Sequence, residues 1–296
     1  MNDMRKIKKI AVSAVLAWML LTCCAGCTRD TGTVKEKVKG LDKLGEIHAV
    51  SREEGSGTRN TFAELAGFGG DTSRDKDKTF KQAEIAGDTS EVLNLVGADR
   101  SAIGYGSAGV MVSDDQIKVL SVDGISAMDD KMRYPLSRSF YLVWQGKLSA
   151  VEDEFLRYIR SAGQEVVSQS YIAVGRQDSF LSLKPQGKIQ IKGSTSVGPL
   201  MECLAEEYMK LNPKASIQVE QTDSGDGINK AIQGKCDLGM CSRELRSYEK
   251  ELLNYEMIAK DEIAVIVNAK NPLENITMEQ LEAIYTGKTV KWEEVQ

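Results

Sequence analysis

Three short segments of this chain repeat one chemical idea, hydroxyl side chains set among glycines between a strand pattern and a helix pattern. They are Gly55-Ser56-Gly57-Thr58 behind Arg52, Gly193-Ser194-Thr195-Ser196, and Asp223-Ser224-Gly225-Asp226-Gly227. A helix start leaves backbone N–H groups without partners and points the positive end of its dipole outward. Glycines let that backbone come close, hydroxyls add donors, and arginine adds a charged two-pronged fork. Three such ends converging on one cleft would replace much of the water around a small oxyanion. Taken singly, a Ser or Thr before a helix is commonly no more than an N-cap. The "SREEGSGTR" segment is more specific, because it joins arginine, pliant backbone and hydroxyls.

Other chemistries fit less well. "SREEGSGTR" lacks the Gly-Lys-Ser/Thr ending of a nucleotide P-loop, and "GYGSAG" around Ser107 lacks the nucleophile-elbow spacing. With His48 as the single histidine, neither a His-rich metal site nor a histidine-based triad can be assembled. Glu53, Glu54, Asp223 and Asp226 offer carboxylates for a hydrolytic pair, but in turns they read as solvated acids or as partners that orient Arg52. Cys203, Cys236 and Cys241 are odd in number and form no disulfide framework; they read as small buried hydrophobes.

The elements that must position these loops follow from patterning. A chain of 296 residues, 42% hydrophobic and 27% charged, suits one large or two modest domains. Arg5, Lys6, Lys8 and Lys9 precede an apolar run at 10–21, shorter than the about 20 residues of a membrane-spanning helix, which reads as an export signal. It ends in Cys24-Ala25-Gly26-Cys27, similar to a bacterial lipobox with Cys27 as the lipidated residue, although Cys24 stands where that motif usually has Leu. Residues 28–44 read as a tether, with ordered structure from about Gly45. Without residues 1–27 the formal charge goes from −5 to −8, and an acidic exported body argues against a nucleic-acid partner. Strands are expected at 46–50, 102–105, 110–112, 140–144, 189–191, 217–219 and 263–267, and helices behind each loop, with Leu200, Leu204, Tyr208 and Leu211 on one face. Residues 175–188, with Pro185 and Gly187, read as an interior linker. The order is alternating α/β.

At these motifs the sequence resembles the phosphate-binding proteins of bacterial ABC importers, members of the two-lobed periplasmic-binding-protein superfamily. "IKGSTSVGPLMECLAEEYMKLNP" is similar to the family's first strand and helix, "CDLGMCSREL" to its next strand end, and "SREEGSGTRNTF" to its central anion loop. "ADRSAIGYGSAG" and "YPLSRSFYLVW" resemble later segments. The order differs: the family opens with the "GSTS" strand and runs from "IYTGKTVKWEEV" straight into "REEGSGT", whereas here those two lie at opposite ends of the chain. The resemblance therefore implies an α/β, two-lobed, type II-like periplasmic-binding-protein fold in circularly permuted order. One lobe would be 45–133 completed by 269–296, and the other 134–268, continuous in the chain, with hinge strands near 140–144 and 263–267. A fragment of a tandem protein, or halves swapped between chains, are the rival explanations.

Carried over by motif, the resemblance implies phosphate donors at Ser194, Thr195, Ser196 and Ser224 from one lobe. Arg52, Ser56, Gly57 and Thr58 would donate from the other, with Glu54 buttressing Arg52. Where many members hold an aspartate that accepts the proton of hydrogen phosphate, this chain has Ser242, which penalises sulfate less; Asp226 or Glu244 would have to take over that role. The implied function is an extracytoplasmic, lipid-anchored solute-binding protein, monomeric and without cofactor, metal or catalysis, which captures inorganic phosphate and hands it to an ABC permease. The alternatives are an oxyanion sensor or scavenger and, more weakly, a phosphoryl-hydrolysing enzyme.

Overall fold

The computed structural model describes residues 38–70, 76–111 and 115–295. The expected leader, Cys27 and the first part of the tether lie outside the described residues. The apolar runs become strands β1 (His48–Arg52), β2 (Glu84–Ala86), β3 (Ala102–Ser107), β4 (Ile117–Val122), β5 (Ser137–Trp144), β6 (Gly187–Ser194), β7 (Ala215–Thr222), β8 (Leu238–Cys241), β9 (Asn254–Asn268) and β10 (Asn275–Ile276). The amphipathic runs become helices α1 (Gly57–Leu65), α2 (Thr89–Ala98), α3 (Ala108–Met111), α4 (Ala150–Arg160), α5 (Gly163–Ser168), α6 (Gly198–Leu211), α7 (Ser224–Ile232), α8 (Ser247–Leu252) and α9 (Met278–Tyr285).

Two sets of parallel strands, β2-β1-β3 and β8-β6-β7, are joined through antiparallel β9 and β5. β9 is the shared strand: Asn254–Glu262 pairs with β5, and Ile263–Val267 pairs with β3. The run Ile263 to Val267 is fully buried, as expected for a central strand covered on both faces, which reads as an unbroken apolar stretch. Each lobe has its own core. Phe62, Tyr105, Tyr285 and Trp292 anchor the first, and Phe155, Tyr208, Leu204 and Phe140 anchor the second.

The cores place the lobe boundaries at Leu136/Ser137 and at Glu262/Ile263, because Tyr134, Leu136, Ile263, Val265 and Val267 all pack in the first core. The end of β9 and residues 134–136, expected in the second lobe, therefore belong to the first. The structured chain also begins earlier than Gly45: Leu41 is 3% exposed in the first core. Residues 110–111 close a helical turn rather than open a strand, and Leu211 is exposed at the end of its helix.

The expected linker at 175–188 is laid against the second lobe. Phe180 stacks edge-on to Tyr158, and buried Glu154 accepts from the Ser182 hydroxyl at 2.6 Å and the Leu183 N–H at 2.8 Å. Near the other junction, Ile47 N–H donates to Val290 O at 2.8 Å and Trp292 N–H to Gly45 O at 3.0 Å. Among the described residues no helix is long and apolar enough to cross a membrane.

Candidate oxyanion-binding site

β1 delivers Arg52 to the cleft, and the turn that follows reverses the chain through Gly55, whose φ of 98° is left-handed. Ser56 then caps α1, its Oγ accepting from Arg59 N–H at 3.3 Å. Arg52 is 1% exposed and fully engaged. Its Nε and Nη2 donate to the Glu53 carboxylate at 2.7 and 2.8 Å, its Nη1 to Thr89 Oγ1 at 3.0 Å, and its Nη2 to Thr195 Oγ1 at 3.1 Å. The last bond crosses from the first lobe to the second.

Glu53, and not Glu54, is thus the buttress of Arg52. Glu54 stands in the open, paired with Lys76 at 2.6 Å, and that hydrogen bond holds its carboxyl below the usual range. Two-residue alternation would put residues 52 and 54 on one face, but β1 ends at Arg52 and the turn breaks the alternation.

Opposite α1, β6 ends in Ser194 and the chain enters α6 through Thr195 and Ser196. Thr58 Oγ1 and Ser196 Oγ lie 2.9 Å apart, a second direct bridge between the lobes. Deeper in, the Ser194 hydroxyl donates to Ser242 Oγ at 2.9 Å, Ser242 N–H donates to Ser224 Oγ at 3.0 Å, and the Ser224 and Ser242 hydroxyls are 3.2 Å apart. Ser194, Ser196, Ser224, Ser242 and Thr58 are all at most 3% exposed. Gly57 closes on this cluster so tightly that a Cβ there would sit 2.4 Å from Ser224 Oγ and 2.6 Å from Ser242 Oγ. A third bridge is all backbone, with Gly225 N–H donating to Gly55 O at 3.2 Å.

The two carboxylates named to stand in for the family aspartate do not join the cluster. The Asp226 side chain pairs with Lys230 at 3.9 Å while its N–H is taken by Asp223, the cap of α7, and Glu244 accepts from the Tyr141 hydroxyl at 2.7 Å. Asp226 sits one helical turn inside α7 and points along the helix flank toward its i+4 neighbour, which is why spacing alone misplaced it.

Sequence reading missed a buried ion pair beside the serines. Arg138 donates through Nε and Nη2 to Asp261 Oδ2 at 2.9 and 2.7 Å and through Nη1 to Thr58 Oγ1 at 2.6 Å, and Ser107 donates to Asp261 Oδ1 at 3.0 Å. Burial pushes the Asp261 carboxyl up and the Arg138 guanidinium down, each opposed by the charge of the other. The signal was present: an arginine two residues before Phe140 in an alternating strand, and an acid two residues ahead of the unbroken apolar run Ile263 to Val267.

Paired lobes that share a crossing strand, with hydroxyl-lined strand ends facing each other across the cleft, define a periplasmic-binding-protein architecture, in which ligands bind beyond the carboxyl ends of the strands. Residues 181–296 match the family model described as "PBP superfamily domain". The chain belongs to the PstS family of phosphate-binding proteins: it is 38% identical over 301 residues, 99% of each chain, to "Phosphate-binding protein PstS 2" of Streptococcus agalactiae serotype V. The crystal structure of a phosphate ABC transporter, phosphate-binding protein from Streptococcus pneumoniae is 37% identical, covers 85% of this chain and 100% of its own, and has a TM-score of 0.69. The PstS of Bacillus subtilis is 30% identical over 140 residues, 46% of this chain and 44% of its own.

Proposed function

We propose that this chain captures inorganic phosphate outside the cytoplasm, in the cleft between its lobes, and delivers it to an ABC importer. The observation that carries this reading is the convergence of donors from both lobes on one buried cluster: Arg52 reaches Thr195, and Thr58 reaches Ser196. The phosphate donors are Arg52, Ser56, Gly57 and Thr58 from the first lobe and Ser194, Thr195, Ser196, Ser224 and Ser242 from the second. To these we add Arg138, held by Asp261, as a second arginine. Only the closed arrangement joins the two sets, so ligand favours closure by differential affinity. The agalactiae relative is named as a phosphate-binding protein, and the solved pneumoniae relative as the phosphate-binding protein of a phosphate ABC transporter. Attachment through a lipid on Cys27 and a monomeric state are parts of the same reading.

The permuted order is supported by two facts. The match to the agalactiae protein runs through 99% of both chains, so that relative shares this order of segments, whereas the subtilis match covers 46% of this chain and 44% of its own, as a permutation between those two would leave it. The two ends that a permutation would have parted lie side by side, with Ile47 N–H donating to Val290 O and Trp292 N–H donating to Gly45 O.

Titration calorimetry of the chain without its leader, with phosphate and then sulfate, tests the reading. One phosphate per chain is expected, with sulfate competing measurably because Ser242, a neutral acceptor, stands in the cluster. Absence of binding to either ion overturns it.

A further inference from the structure

Glu262 lies at the joint between the lobes. It is the last residue of β9 to pair with β5, opposite Ser137, the first residue of that strand, and the next pair of residues, Ile263 and Leu136, are joined by an N–H···O bond of 2.7 Å. Its side chain is 0% exposed, and neither carboxylate oxygen has a hydrogen-bond partner. The groups that face it are Asp261 on its own strand, Arg138 on β5, and Lys131 and Tyr134 from the segment before β5. None offers it a hydrogen bond: Arg138 is committed to Asp261 and Thr58, the Tyr134 hydroxyl donates to Ile263 O at 3.1 Å, and Lys131 Nζ donates to Ser170 O at 3.1 Å.

An ionised carboxylate without donors costs several kcal/mol to bury, whereas the neutral carboxyl costs far less. We propose that Glu262 is a proton-linked hinge residue: the lobes come together with its carboxyl protonated, so that phosphate binding and proton uptake at Glu262 are coupled. The coupling runs through the joint itself, since separating the lobes admits water to the carboxylate. With the lobes together, burial first and the charge of Asp261 second push the carboxyl up to about 7 against an ordinary value of 4.5, opposed by the charges of Lys131 and Arg138 and by the dipole of its own backbone N–H.

The sign follows from linkage. The phosphate-bound form holds the proton more tightly, so affinity is highest at low pH. It falls as pH rises from about 4.5 toward about 7, by at most about tenfold per pH unit, and then levels.

The proposal rests on the phosphate reading, and its test separates the two. Phosphate itself titrates near neutrality, so the quantity to measure is the ratio of Kd for the wild-type chain to Kd for Glu262→Gln, by calorimetry from about pH 5.5 to about pH 8.5. The ratio is expected to rise on the order of tenfold by about pH 7.5 and to stay level above it. A ratio independent of pH, with both chains binding phosphate, overturns the hinge proposal and leaves the phosphate reading standing; no binding by either chain overturns both. Should the variant fail to fold, an infrared difference spectrum of the wild-type chain at about pH 6, with and without phosphate, reads the same event. Phosphate is expected to add a protonated-carboxyl stretch, and its absence overturns the proposal.

Discussion

Arg138 on β5 and Asp261 on β9 are direct cross-strand partners, and their side chains, 1% and 0% exposed, meet in a two-pronged bond whose spare nitrogen holds Thr58. The pair stands where the shared strand passes beneath the hydroxyl cluster, so one carboxylate fixes both a charge and a hydroxyl.

Asp261→Asn strands a buried guanidinium. A loss of about 3–5 kcal/mol of stability is expected, together with weaker phosphate binding because Thr58 loses its anchor. Urea unfolding and calorimetry on one sample check both; unchanged stability would show that Arg138 has another counter-charge.

Arg52 gives a sharper test of which acid matters. Removing it deletes bonds to a charged group worth about 1.5–3 kcal/mol each, so Arg52→Ala is expected to weaken phosphate binding on the order of a hundredfold or more with the fold retained. Glu53→Gln should cost about tenfold. Glu54→Gln, which touches only an exposed pair, should cost about twofold at most.

At Gly57 the smallest possible insertion should jam the cleft. Gly57→Ala places a methyl within 2.4 Å of Ser224 Oγ, forcing the serine cluster and α1 apart. Thermal unfolding is expected to stay near wild type while phosphate affinity drops at least about tenfold, since the clash arises only where the lobes meet. Wild-type affinity would show that phosphate is not bound against this contact.

Glu262 also leaves a trace in the stability of the closed, phosphate-saturated chain. Its carboxyl is raised in the folded chain to about 7 from 4.5, so the folded state binds more protons than the unfolded one in that window. The contribution is fully present below about pH 4.5 and is lost as pH rises to about 7, by up to about 3 kcal/mol. Glu262→Gln should remove this slope in denaturant titrations at successive pH values.

Leu41 tests where the domain starts. It is 3% exposed in the first core, so Leu41→Ala should cost about 2–5 kcal/mol, an effect that a residue of a loose tether would not show.

The strand-and-helix series and the three glycine–hydroxyl loops were legible in the sequence, because period and turn chemistry are local. Glu54 was named as the buttress in place of Glu53 because the end of β1 is decided by the turn through Gly55, which pairwise spacing does not encode. Arg138 and Asp261 stayed hidden because their pairing depends on the register of β5 against β9, strands far apart in the chain. Leu41 was read as tether because its apolar neighbours Val34, Val38 and Leu44 are sparse among charges and glycine; Trp292 and its neighbours, brought from the other side of the sequence, give it a core to enter.

That assembly sets an order of events for a chain emerging in sequence. The second lobe is one uninterrupted stretch and can condense as soon as β9 begins, but the first lobe holds Leu41, Phe62 and Tyr105 in waiting until Tyr285, Trp292 and Val295 arrive. Its apolar surfaces therefore stay uncovered the longest, and they are the surfaces an export chaperone would have to shield.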